Sequence, residues 1–142
     1  MSDTKRTPDQ LRATHAWEAV ELVLKKFPPS TVTESGKPLK RPHPQAKKFG
    51  GAVRKLPVRI MASGLGQALA FLKAKDQTPD LLDTLSDWVL KKRSQTALLE
   101  AVIAGTADTL RQHTAETLAY LQWLSRFCEA NNLTDDDNAG GG

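Results

Sequence analysis

Apolar residues recur at spacings of three and four through most of this chain, and the places where that rhythm breaks mark its organisation. Thr7, Pro8, Asp9 and Gln10 have the order of an N-cap, a proline at the first helical position and the glutamine of a capping box. They predict a helix from about residue 8, with Ala13, Trp17, Val20, Leu24 and Phe27 on its buried face. Pro28 and Pro29 end it, because proline removes a donor and clashes with the preceding turn. From Pro28 to Pro44 there are five prolines, few apolar side chains and several lysines. Residues 28–45 are therefore expected to form a flexible basic loop without an element of its own.

Beyond that loop, Phe49, Val53, Leu56 and Ile60 hold one helical phase across Pro57, which predicts a kinked helix or two abutting ones. The pattern continues through Leu72, with Gly64 and Gly66 inside the expected helix. Each interior glycine costs about 1 kcal/mol relative to alanine, so the pair calls for compensation. Ala62, Gly66 and Ala70 fall at i, i+4, i+8, and Gly64 with Ala68 lies on the adjacent ridge. Ala62, Gly64, Gly66 and Ala70 are accordingly expected to form a small-residue face that admits another backbone, from within the chain or from a partner.

Thr78, Pro79 and Asp80 predict the next helix start, with Leu81, Leu85, Trp88 and Val89 inward. Ser94 opens a short helix through Ala104 that Gly105 stops. Thr106 caps the longest helix, to about Asn131, with Leu110, Thr114, Leu118, Leu121, Leu124 and Cys128 on one face and Tyr120, Trp123 and Phe127 widening it. Residues 134–142 have nothing to bury and are expected to be disordered. No period-two alternation predicts a strand. The expected fold class is all-α, one compact domain over residues 1–142 with five to six helices.

Charge changes the picture more than composition does. The net +4 hides an asymmetry: residues 1–60 hold 13 Lys/Arg against 5 Asp/Glu, and residues 61–142 hold 7 against 11. Between Lys25 and Arg59 ten cations face one anion, Glu34. Such a block is either a solvated surface or the footprint of a polyanion, and nucleic acid is the abundant intracellular one. On a helix running from Lys47 toward Arg59, Lys48, Lys55 and Arg59 share a face with Lys47 and Arg54 beside them, opposite the apolar stripe. These five are the candidate RNA contacts.

The candidate chemistry is otherwise sparse. His15, His43 and His113 show no paired metal-ligand spacing, and His113 with Glu116 lacks the further carboxylates of a bridged metal site. Cys128, the single cysteine, lies on an apolar helix face and reads as an inert thiol. Trp17, Trp88 and Trp123 fall at core-facing phases. The residues assemble no catalytic constellation and no cofactor site, so an enzyme is not expected. No apolar run is long enough for a membrane helix and the first ten residues lack a signal-peptide core, so a cytoplasmic, membrane-free protein is expected.

Three separated words carry a family resemblance. Phe49, Ala52 and Arg54-Lys55-Leu56-Pro57 lead into Ser63-Gly64-Leu65-Gly66-Gln67 and Ala68 to Phe71. Asp108, Arg111, Thr114, Glu116, Leu118, Tyr120, Trp123, Arg126 and Phe127 follow in the last helix, and Arg12 to Trp17 precedes them all. Together they resemble the small subunit of the type III-B CRISPR effector, the Cmr complex, although Leu110 and Ser63 stand where that pattern carries a tyrosine and an asparagine. The resemblance implies an all-α, non-catalytic subunit. It would stack as a filament with copies of itself and with the backbone and large subunits, beside the groove holding guide RNA and target RNA. A free-standing helical nucleic-acid-binding or adaptor protein is the alternative.

Overall fold

The computed structural model describes residues 5–134. Six helices form one bundle: α1 (Pro8–Lys26), α2 (Pro44–Ser63), α3 (Leu65–Lys75), α4 (Pro79–Leu90), α5 (Ala97–Ala104) and α6 (Ala107–Ala130), with a hairpin of β1 (Ser30–Glu34) and β2 (Lys37–Arg41) between the first two. The all-α class holds. The last helix is the axis of the core, lying along α1 and against α2. Tyr120, Leu121 and Leu124 on α6 are fully buried, in one cluster with Leu56, Leu65, Leu69, Leu81 and Leu85.

Local signals set most boundaries. The Gln10 amide donates to Thr7 Oγ1 at 3.1 Å and the Thr7 amide to Gln10 Oε1 at 2.8 Å, closing the capping box that opens α1. Thr106 and Thr109 make the equivalent reciprocal cap for α6. The Ser94 hydroxyl accepts from the Ala97 amide at 3.0 Å and so seats the first turn of α5 three residues later than its own position. His43, placed in the loop by the sequence, caps α2 by accepting from the Gln45 amide at Nδ1, 3.0 Å away.

Four expectations need correction. First, α1 is turned from its expected phase: its buried residues are Ala16, Ala19, Val20 and Val23, while Trp17 stays 43% exposed. Small residues sit at the closest approach of two helices. The indole lies at the rim instead, edge-on to Phe127 with centroids 5.1 Å apart. Secondly, the segment expected as a loop contains the hairpin, with Val32 opposite Leu39 and Glu34 opposite Lys37. Ser35 and Gly36 both take positive φ, 52° and 79°, as a two-residue primed turn demands. Pro38 is tolerated because the pair flanking the turn exchanges the ladder bonds and the next pair, Thr33 with Pro38, does not.

Thirdly, of the two arrangements expected across Pro57 the abutting helices are not formed: α2 is one helix through Gly50, Gly51 and Pro57. Gly50 is where another backbone comes near: an added Cβ would collide with the carbonyl of Leu133, which is fully buried. Fourthly, Gly64 is outside any helix. It ends α2 and opens α3 at φ 88° and ψ 160°, a conformation essentially restricted to glycine. Its amide donates to Ile60 O at 2.7 Å and its carbonyl accepts from Ala68 N at 3.1 Å, so one residue serves both helix ends. Of the tail expected to be disordered, residues 135–142 lie outside the described residues.

Candidate nucleic-acid interface

The break at Gly64 lays α3 back beside α2 and creates a groove between them of about 340 Å³. Lys48, Lys55 and Arg59 rise from α2 on one side, Phe71 and Lys75 from α3 on the other, and Leu56 and Leu72 form a buried floor. No carboxylate among the described residues lines it. Helical spacing explains both walls: positions 48, 52, 55 and 59 share one face of α2, and positions 71 and 75 are one turn apart on α3. Four cations around a concave surface raise the local concentration of an anion, and low-dielectric walls focus that field.

One cation–π contact ties the walls together and a second lies within α3. Arg59 Cζ lies 3.8 Å above the Phe71 ring centroid, and Lys75 Nζ lies 5.2 Å from the same centroid. Among the five expected RNA contacts, the structure therefore brings Lys48, Lys55 and Arg59 together. Lys47 faces a different depression, at the foot of the hairpin, with Ser30, Arg41, Pro42 and Pro44. Arg54 is half-buried and lines neither. The sequence reading passed over Phe71 and Lys75 as site residues because their wall exists only once α3 folds back at Gly64.

The expected small-residue face does not form on one helix. Ala62, Gly64 and Ala70 are exposed, and Gly66 is half-buried against α5, where an added Cβ would stand 3.3 Å from Val102 Cγ1. The helix that was to align them is two helices.

A second polar cluster pins α1, α4 and α6 together. Arg12 donates to Glu116 through Nε at 2.6 Å and Nη2 at 2.9 Å, and Trp88 Nε1 donates to the same carboxylate at 2.7 Å. These bonds hold the Glu116 carboxyl below the ordinary carboxylate range, the Arg12 hydrogen bond first among the causes. The residue considered for a metal with His113 is thus committed to a guanidinium and an indole. His15 shares hydrogen bonds with the Tyr120 hydroxyl at 2.6 Å and with Asp87 Oδ2 at 2.7 Å. Burial pushes the Tyr120 phenol up, so it stays neutral, and its fully buried side chain closes the inner end of the array, while Asp87 at the outer end is partly exposed. Cys128 is buried and its thiol is pushed up to about 12, as an inert core thiol should be.

Comparison with known proteins places the fold and the words of the sequence in one family. The family model described as "CRISPR-associated protein (Cas_Cmr5)" matches residues 8–131. The X-ray crystal structure of a CRISPR-associated Cmr5 family protein from Thermus thermophilus superimposes with a TM-score of 0.69 at 28% sequence identity, covering 92% of this chain and 100% of that one. A search of curated proteins gave no match. No helix among the described residues is long and apolar enough to cross a membrane. Matched over nearly its whole described length, the chain belongs to the Cmr5 family, the small subunits of type III-B Cmr complexes.

Proposed function

We propose that this subunit is a non-catalytic scaffold of a cytoplasmic RNA-guided effector, stacking with further copies of itself and with the other Cmr subunits, and that the α2–α3 groove faces RNA. The observation that carries this reading is the groove itself: Lys48, Lys55, Arg59 and Lys75 converge with no carboxylate lining it among the described residues. A surface of that kind contacts phosphate and leaves sequence to be read by pairing between guide and target. Contacts with other subunits are better served by exposed apolar residues than by the expected glycine face. Val58 and Met61 on α2 are 72% and 75% exposed, and Met61 joins Pro57, Leu118 and Trp123 in a shallow trough between α2 and α6.

Salt titration of RNA binding tests the groove. Each phosphate neutralised on a single strand contributes about −0.7 to the log–log salt slope. Reversing Lys48, Lys55 and Arg59 to glutamate should flatten the slope and weaken binding. The same change at Lys91 and Lys92 should matter less, because neither lines the groove. A base preference that survives at high salt would contradict the reading.

A further inference from the structure

Phosphate attraction alone needs no aromatic ring, and Phe71, besides tying the two walls together, stands in this groove at 38% exposure. Arg59 lies 3.8 Å over its face, a guanidinium stacked on a ring. Behind the stack, Leu56 and Leu72 are buried and keep the floor dry. Lys55 and Lys48 lie N-terminal to Arg59 on the same face of α2, in register with the groove, so the apolar shelf has cations at its side. A flat shelf beside a cationic edge is the division of labour of a single-strand site, in which side chains stack on the base while ammonium groups hold the backbone.

We propose that the groove holds one nucleotide of a single RNA strand, its phosphate by Lys48 and Lys55 and its base against the Arg59–Phe71 stack; this rests on the RNA-facing reading given above. A paired helix does not suit the shelf, because its bases are stacked on one another and present only edges and backbone. Stacking is indifferent to base identity, since every base has a π-face, so the contact adds affinity without competing with the guide's reading of sequence. Of the two RNA forms in such an effector, the site selects unpaired strand over duplex.

The test uses the full chain at low ionic strength and three oligoribonucleotides of equal length: an intact single strand, the same strand made abasic, and a blunt duplex. Intact and abasic strands carry the same phosphates, so their difference isolates the base. The intact strand should bind about fivefold or more tighter than the abasic one, and should outcompete the duplex. Phe71→Leu, which keeps an apolar side chain at a partly exposed position, should bring the intact strand to the affinity of the abasic one and leave the abasic strand unchanged. Equal binding of intact and abasic strands overturns the proposal, as does a duplex that competes equally or a Phe71→Leu loss that is the same for both strands. If Lys48→Glu and Lys55→Glu weaken both single strands while intact and abasic remain equal, the base contact fails and the RNA-facing reading stands. If those reversals weaken neither strand, both fail.

Discussion

Gly50, Gly64 and Gly66 show how differently one residue type is used within a short stretch. Gly50 sits in mid-helix because the Leu133 carbonyl occupies the space of a side chain. Gly64 sits at a corner whose φ of 88° excludes other residues. At Gly66 an added Cβ would meet Val102 Cγ1 at 3.3 Å, a contact relieved by a shift of a few tenths of an ångström. Alanine should therefore act in a definite order. Gly50→Ala and Gly64→Ala should each lower stability by about 1–3 kcal/mol, the first through forced backbone movement and the second through strain. Gly66→Ala should cost less, because it needs a far smaller movement than Gly50→Ala and alanine favours the helix by about 1 kcal/mol. Denaturant midpoints of the three variants check the order, and a Gly66→Ala variant less stable than Gly50→Ala would contradict it. The sequence marks Gly64 and Gly66 as glycines needing an account, but the sign of φ at Gly64, or the approach of Leu133 to Gly50 from the far end of the chain, is not written in local spacing.

At the scale of elements, helix existence and type were legible from caps and periodicity, and the errors lay in phase and in the hairpin. Large residues dominate a periodicity reading, so Trp17 was turned inward when Ala16 and Ala19 hold the helix contact. The strand STVTE with its Ser35-Gly36 turn carried a hairpin signal that five neighbouring prolines outweighed. Of the junction of α1, α4 and α6, Arg12 and Glu116 were legible only as parts of words and Trp88 only as a core-facing indole. Arg12, Trp88 and Glu116 are remote in sequence and meet at one carboxylate. Arg12→Ala should destabilise by about 1–3 kcal/mol, since it strips the charged partner from a partly buried group. The pH dependence has a fixed sign. Glu116 titrates below its ordinary 4.5 when folded, so its contribution is complete above the unfolded value and is lost as pH falls through the folded one. Acidification below about pH 4.5 should cost the native protein stability, and the Arg12→Ala variant should lose less over the same range. Urea unfolding across that pH range measures both. An unchanged acid dependence in the variant would remove Glu116 from the account.

The whole molecule turns a one-dimensional charge asymmetry into a localised site. The sequence placed the cations on α2 and the three that share a face did converge, whereas Lys47 and Arg54, their chain neighbours, point elsewhere because side chains one residue apart on a helix leave it in different directions. The opposite wall, Phe71 and Lys75, depends on how Gly64 directs α3. The family, by contrast, was legible from three words in the right order, and the match over residues 8–131 bears it out. What the account claims beyond membership is that this subunit's groove serves RNA inside the effector. The most direct measurement is target-RNA binding by a reconstituted effector carrying either the native subunit or its Lys48→Glu, Lys55→Glu, Arg59→Glu variant. The account predicts that the variant is incorporated in equal amount and that the assembled complex binds target RNA more weakly, with a shallower salt slope. Equal incorporation with unchanged RNA affinity and slope would contradict it.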